Sequence, residues 1–203
     1  MTASAETVLD SFIGQLFEKS FGEVTLRDVA SAADIGLADL YRLYPDKVAL
    51  AAAFMARIDA AVLAGTPRQA DPEETPRDRL FDVMMRRYDA LKPYRAALRA
   101  IRRAAVRDPL LSLALGPALR RSMAAMLEAA ALPSDGLAGA VRQNGLLAIH
   151  HAASRVFDRD DTSDLSKTMA ALDSRLKVAE RWSQLFERYR HSRSSERTDS
   201  RPM

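Results

Sequence analysis

The side chains that point most directly to a chemistry lie between residues 25 and 47. Arg42 can donate hydrogen bonds to a guanine edge or to a phosphate, and Leu37 and Ala38 precede it on the same predicted helix. A helix with these side chains could enter the major groove of DNA. Asp39 would repel phosphate unless it accepts a hydrogen bond from a cytosine amino group. Four further residues carry groups that could contact phosphate: Thr25, Tyr41, Tyr44 and Lys47. For each tyrosine, packing in a helical core is an equally good interpretation.

Two short helices joined by a tight turn would position these side chains. Thr25 followed by Asp28 is typical of a helix start, because the hydroxyl caps a backbone N–H and the carboxylate favours the positive end of the helix. Asp34 is the predicted turn residue, since Asp tolerates a left-handed backbone. Pro45 ends the second helix, and Asp46 caps a longer supporting helix. The sequence therefore predicts a helix-turn-helix.

Residues 25–30 and 40–47, together with Leu50, resemble the helix-turn-helix of the TetR family of ligand-responsive repressors. The resemblance covers about the first 60 residues. It implies an all-helical homodimer with a DNA-reading N-terminal unit and a larger helical domain that binds ligand and forms the dimer. It also places Lys47 at a typical phosphate contact. Three residues depart from the family pattern, at the turn, at the cap and in the recognition helix: Asp34, Gly36 and Asp39.

The charge distribution argues against a strongly electrostatic DNA interface. The whole chain has a net charge of +3, but residues 1–64 hold five Lys and Arg against nine Asp and Glu. Phosphate neutralisation supplies much of the affinity for DNA, so an acidic N-terminal unit is a poor overall match to a duplex. Net charge is not local potential, however, and a few well-placed groups can suffice.

A second basic feature lies in the C-terminal part of the chain. Five arginines recur at helical spacing and predict a basic stripe along one helix: Arg95, Arg99, Arg102, Arg103 and Arg107. One interpretation is a solvated face, or a face that pairs with carboxylates elsewhere in the fold. The other is a surface for an anionic partner, which would be a membrane, an acidic protein or nucleic acid.

Helical periodicity continues along most of the chain. Apolar residues recur at helical spacing over residues 4–20, and residues 65–72 form the predicted linker because they include glycine and two prolines. Later helices are expected to begin at Thr75–Pro76, Pro93, Pro109, Ser134 and Ser163. The predicted fold is all-α, with about nine helices. It comprises a three-helix helix-turn-helix head at 1–64, a larger antiparallel helical domain at 73–190 that binds ligand and dimerises, and a disordered tail at 191–203.

A second resemblance concerns the larger domain. Residues 80–95 and 174–180 resemble the accessory lipid-binding family of coenzyme Q biosynthesis. That resemblance implies a TetR-like fold that does not read DNA and that binds an isoprenoid lipid, a partner enzyme and a membrane. The segment 181–190, which mixes three aromatic residues with arginines, could lie in a bilayer interface. Completion of the core or of a dimer seam is the better interpretation of that segment.

Both resemblances imply an apolar cavity in the larger domain. Methionine adapts to varied ligands, which makes the following residues the predicted lining: Met84, Met85, Tyr88, Met123, Met126, Leu146, Leu147, His150 and His151. Ordinary core packing is the competing interpretation for most of them. His150 and His151 point about 100° apart on a helix, so they are not expected to hold one metal ion.

Enzyme signatures are missing from the sequence. The chain has no cysteine, no Gly-rich phosphate loop, no histidine pair at i, i+4 and no nucleophile elbow. Residues 158–161 lack the glycine and glutamate of a calcium loop, and we expect an inter-helix loop there. No signal peptide or membrane span is expected. We therefore predict a cytoplasmic, non-enzymatic protein without a cofactor.

The sequence as a whole predicts a homodimeric, TetR-like repressor. It would bind a double-stranded DNA operator and respond to a small apolar or lipid-like ligand that moves its helices. The alternative is a lipid-binding accessory protein of ubiquinone biosynthesis that keeps the fold, binds an isoprenoid, contacts a membrane peripherally and does not bind DNA.

Overall fold

The computed structural model describes residues 5–181, which contain helices and no strand. Eight α-helices have both ends within this range: α1 Ala5–Glu18, α2 Leu26–Ala32, α3 Leu37–Leu43, α4 Lys47–Ala64, α5 Pro76–Leu91, α6 Arg95–Arg107, α7 Pro109–Ala129 and α8 Gly136–Phe157. A 3-10 turn at Lys92–Tyr94 joins α5 to α6. A ninth helix, α9, is helical from residue 166 to 181, where the described part ends. The all-helical prediction of about nine helices is confirmed.

Short-range signals build the N-terminal helices as the sequence predicts. The Thr25 hydroxyl accepts a hydrogen bond from the Asp28 backbone N–H at 3.1 Å, and the Asp28 carboxylate accepts one from the Thr25 N–H at 3.3 Å. Asp34 has φ 52°, the left-handed conformation that the turn between α2 and α3 requires. Asp46 caps α4 by accepting from the Ala49 N–H at 2.7 Å. These three local predictions are confirmed.

One hydrophobic core runs through the described chain. Val8, Phe12 and Leu16 of α1 are buried in the head, and Phe54 and Ile58 on α4 belong to the same buried cluster. Helix α4 packs against α1 on one side and against α5 and α7 on the other, and α1 packs against α6. The supporting helix of the head is therefore also part of the core of the larger helical unit. The division into two domains at residues 65–72 stays a prediction.

A buried polar contact reinforces the junction between α4 and the larger unit. Arg87 on α5 is only 2% exposed and forms an ion pair with Asp59 on α4. The same Asp59 oxygen accepts a hydrogen bond from the Ser122 hydroxyl of α7 at 2.7 Å. Because an unpaired buried charge is costly, these three residues hold α4, α5 and α7 in one arrangement.

The predicted helix cap at Ser134 is wrong. Helix α8 begins after Asp135, which makes no side-chain cap. Ser134 instead lies against the first turn of α8, where its N–H donates to Glu128 at 3.1 Å and its carbonyl accepts from Gln143 at 2.9 Å. A Cβ built on Gly139 would overlap that carbonyl, so glycine is required at this close approach.

The predicted cap at Ser163 is also wrong, because other side chains order this turn. Helix α9 starts at residue 166, whose N–H donates to the Thr162 hydroxyl at 3.0 Å. Asp160 is fully buried and accepts from the Thr168 N–H and hydroxyl, both at 2.7 Å, and from Thr162. Burial alone would raise the pKa of Asp160, but the hydrogen bonds from Thr162 and Thr168 outweigh it and hold the pKa well below its usual value. Residues 158–165 form the loop expected there.

Two predictions fall on residues outside the described range: the aromatic segment at 182–190 and the tail at 191–203. Within residues 5–181, no helix has the combination of length and apolar character that crossing a bilayer demands.

Candidate nucleic-acid interface

Helix α3 presents one face of the head to solvent. Leu40 is fully buried and Leu37 is half-buried, so these two side chains fix the helix on the core of the head. Ala38, Tyr41 and Arg42 lie on the opposite face and are exposed, with Tyr41 at 52%. A small, an aromatic and a basic side chain therefore project together from one short helix, which is the arrangement that a groove-reading helix needs.

Arg42 has an acidic partner on the same helix. Its side chain is 77% exposed, and its guanidinium forms an ion pair with the carboxylate of Asp39, one turn earlier on α3. The acidic residue that departs from the family pattern is thus in contact with the basic residue predicted to read bases.

Thr25 lies at the start of α2 and is exposed. Its oxygen accepts the Asp28 N–H, and the side-chain hydrogen bond from Thr25 lowers the pKa of Asp28. Because the Thr25 O–H also donates to the Asp28 carboxylate, a phosphate would have to compete with that carboxylate for this donor, and a phosphate contact stays a prediction for Thr25.

Tyr44 and Lys47, two of the predicted phosphate contacts, form hydrogen bonds within the head, whereas Tyr41 is exposed. Tyr44 is half-buried, its hydroxyl donates to the Ala5 carbonyl at 3.4 Å, and burial raises its pKa. The Lys47 ammonium donates to the Phe21 carbonyl at 2.8 Å and lies 4.9 Å from the centre of the Phe21 ring. Burial lowers the pKa of Lys47. Both side chains tie the ends of neighbouring helices together, so Tyr41 is the more accessible of the two tyrosines.

Three arginines of the predicted basic stripe hold the end of α8. Arg95 donates to the Asp160 carbonyl, Arg99 to the Asp158 carbonyl at 2.7 Å, and Arg102 to the Ser154 carbonyl at 3.2 Å. Arg102 also forms an ion pair with the Asp158 carboxylate. These carbonyls belong to the C-terminal end of α8 and the turn that follows, where a helix favours positive charge.

The remaining two arginines of the stripe are exposed. Arg103 and Arg107 have no hydrogen-bond or ion-pair partner among residues 5–181. An anionic partner surface stays a prediction for these two residues, and for the other three the structure provides an internal role.

The predicted ligand-lining residues divide between the core and the surface. Met84, Tyr88, Met123, Met126, Leu146 and His150 are buried, whereas Met85 and Leu147 are half-buried and His151 is exposed. The Tyr88 hydroxyl lies 3.2 Å from both Nδ1 and the carbonyl oxygen of His150. Burial raises the pKa of Tyr88 to about 12, and burial together with Arg87 lowers that of His150 well below its usual value. Both groups are therefore neutral at physiological pH, and ligand contact by this set stays a prediction.

A surface groove that sequence reasoning missed lies beside the linker. Its cavity volume is about 870 Å³, and its walls are residues 65–71, one side of α5 and the end of α7. Met85 belongs both to this groove and to the predicted lining set. The other walls include Arg68, Asp82 and Glu128. These residues are polar, so no periodic pattern of apolar residues in the sequence indicates the groove.

Comparison with known proteins identifies the fold. No protein-family model matches the chain, and no curated protein matches it. Solved structures do match. A TetR transcriptional regulator from Nitrosomonas europaea superposes with a TM-score of 0.68 at 18% identity, covering 87% of this chain and 97% of that chain. One from Rhodococcus sp. RHA1 has a TM-score of 0.60 at 23% identity, covering 84% and 94%.

A third solved structure is the TetR family repressor AlkX from Dietzia sp., implicated in biodegradation of n-alkanes. Its TM-score is 0.52 at 15% identity, and the match covers 89% of this chain and 98% of that chain. The chain thus has the TetR-like fold over most of its length. The matched structures are described as transcriptional regulators, so the comparison does not support the coenzyme Q alternative.

Proposed function

We propose that this protein is a DNA-binding transcriptional regulator of the TetR type. The observation that carries the proposal is the outward face of α3, where Ala38, Tyr41 and Arg42 are exposed on a helix-turn-helix whose caps and turn form as the sequence predicts. The TetR-like fold over most of the chain supports it. In this role the protein has no catalytic activity and acts in the cytoplasm as a repressor.

Two heads on a dimer would contact successive turns of the major groove. The exposed side of α8 supports an interface between copies, because Leu137 is 85% exposed and Val141, one turn later, is 65% exposed. Isolated exposed aliphatic residues are common, but a pair at i, i+4 on one helix forms a continuous apolar strip. This strip is the surface we assign to the homodimer.

A small apolar ligand in the larger helical unit would act on DNA binding through α4. That helix packs against α5 and α7 and also supports the head. The contact of Asp59 with Arg87 and Ser122 joins the three helices, so a ligand that shifts α5 must also shift α4 or break a buried ion pair, and one that shifts α7 must also shift α4 or break a hydrogen bond. The spacing of the two heads would change as a result.

The acidic head leaves few cations for contact with DNA. Within it, Arg57 pairs with Glu6 and Asp10, Lys47 donates to backbone carbonyls, and Arg42 pairs with Asp39. Few cations therefore remain for phosphates. We expect a shallow salt dependence, with the logarithm of affinity falling by less than about 4 per tenfold rise in salt for each head.

Fluorescence anisotropy tests the proposal. Labelled duplexes from the region upstream of the gene are titrated with the full chain at several salt concentrations, and an unrelated duplex of equal length is the control. We expect preferential binding to an upstream duplex and the shallow slope. Equal affinity for both duplexes, or no binding at low salt, contradicts the proposal.

A further inference from the structure

The ion pair between Asp39 and Arg42 lies on the face of α3 that would meet DNA. The two side chains are three residues apart, which places them on the same side of a helix. Arg42 is 77% exposed and Asp39 is 48% exposed, so the pair stands in solvent and is accessible to a partner. Neither side chain caps an end of α3, and neither is buried in the core.

The start of α3 leaves room for this carboxylate. Gly36 is the N-cap residue and makes no side-chain cap. A Cβ at Gly36 would lie 3.2 Å from Oδ2 of Asp39, tighter than an ordinary van der Waals contact. Glycine at the cap therefore leaves free the space that the Asp39 carboxylate occupies beside Arg42.

A carboxylate at this place changes what Arg42 can contact. It repels phosphate and occupies part of the guanidinium, so it opposes the sequence-independent phosphate contact that a free arginine would make. Asp39 contacts one guanidinium nitrogen, and a guanidinium has five N–H donors, so donors remain for a second acceptor. Guanidinium carries only donors, guanine offers two acceptors at N7 and O6, and adenine replaces one of these with an amino donor.

On the basis of the proposed function, we propose that Asp39 positions Arg42 to contact guanine and thereby determines which DNA sequence the protein binds. The protein then requires a G·C pair at the position that Arg42 reads and rejects A·T there. Asp39 is a positioning residue in this scheme, and Arg42 makes the base contact. The acidic residue in the recognition helix costs overall affinity for phosphate and increases discrimination between bases.

Selection from a duplex library with a randomised central region tests this inference. The full-length protein and its variants are each used for selection, and the enriched sequences are read at every position. For the wild type we expect one position in each half-site where G is preferred over A by roughly 5- to 150-fold. In Asp39→Ala that preference falls several-fold while preferences at other positions remain. Asp39→Glu, which keeps the carboxylate, restores part of it.

Asp34→Asn is the matched control. Asp34 is an exposed acid in the same helix-turn-helix, and Asn tolerates its positive φ, so the variant removes the same charge without removing the ion pair. We expect it to leave the guanine preference unchanged. If Asp39→Ala keeps the full preference, or if Asp34→Asn loses it equally, the inference is overturned and the proposed function stands. If the wild type enriches no sequence, the proposed function itself is overturned.

Discussion

At the scale of single residues, Asp160 orders the turn between α8 and α9 because its carboxylate accepts four hydrogen bonds from Thr162 and Thr168 in a fully buried site. We predict that Asp160→Ala destabilises the fold by about 2 kcal/mol or more, since buried donors lose a charged acceptor. Chemical denaturation measures the free energy of unfolding. Asp161→Ala, which removes an exposed neighbour paired with Lys167, is the control and should cost less than about 1 kcal/mol.

The same carboxylate predicts a pH dependence. Its folded pKa lies below the value of about 3.9 for an unfolded Asp, so its contribution is fully present above that pH and is lost as pH falls towards the folded pKa. The stability difference between the wild type and Asp160→Ala should therefore shrink in acid. A difference that grows between pH 5 and pH 3 would contradict the assignment.

Gly139 provides a second test at this scale. Because a Cβ there would overlap the Ser134 carbonyl, Gly139→Ala should destabilise the protein by about 1–3 kcal/mol. Gly145→Ala on the same helix meets nothing within 4 Å and should be neutral or stabilising by up to about 1 kcal/mol. Equal thermal shifts for the two variants would contradict the close approach.

The sequence correctly predicted the roles of residues whose partners lie only a few positions away in the chain. Thr25, Asp34 and Asp46 behave as expected because a cap or a turn depends on neighbours in the chain. The predicted caps at Ser134 and Ser163 were wrong because other polar residues that could cap lie beside each of them, Asp135 in the first case and residues 160–164 in the second. There, hydrogen bonds to Glu128 and to the buried Asp160, several residues away in the chain, order the segment before each helix.

At the scale of elements, α6 uses three arginines to hold the end of α8. The sequence showed that they share a face, but the helix that approaches that face depends on the tertiary fold. We predict that Arg102→Met, which leaves the half-buried Asp158 without its ion pair, destabilises the protein by about 1–3 kcal/mol.

Arg103→Met is the matched control for this variant. It removes the adjacent arginine, which has no partner among the described residues, and should change the free energy of unfolding by less than about 0.5 kcal/mol. If urea denaturation gives the two variants equal stability, α6 does not hold α8 through Arg102.

At the scale of the whole molecule, the proposed dimer rests on the exposed strip of α8. Val141→Asp should convert the dimer to a monomer, because burying an unpaired charge in an interface opposes association. Light scattering after gel filtration measures the mass. Leu110→Asp on α7 alters an aliphatic side chain that is 77% exposed and should leave the dimer intact. A wild type that is monomeric at micromolar concentration contradicts the proposed assembly.

The central claim is that α3 reads DNA through Arg42, and the most direct measurement compares Arg42→Ala with Arg27→Ala. Arg27 is an exposed head cation without a partner among residues 5–181, so it reports the effect of charge alone. Anisotropy titrations use a selected duplex and a scrambled one. We predict that Arg42→Ala weakens binding to the selected duplex by about 1–3 kcal/mol and reduces its advantage over the scrambled one. Arg27→Ala should affect both duplexes equally. An unchanged preference in Arg42→Ala would contradict the claim.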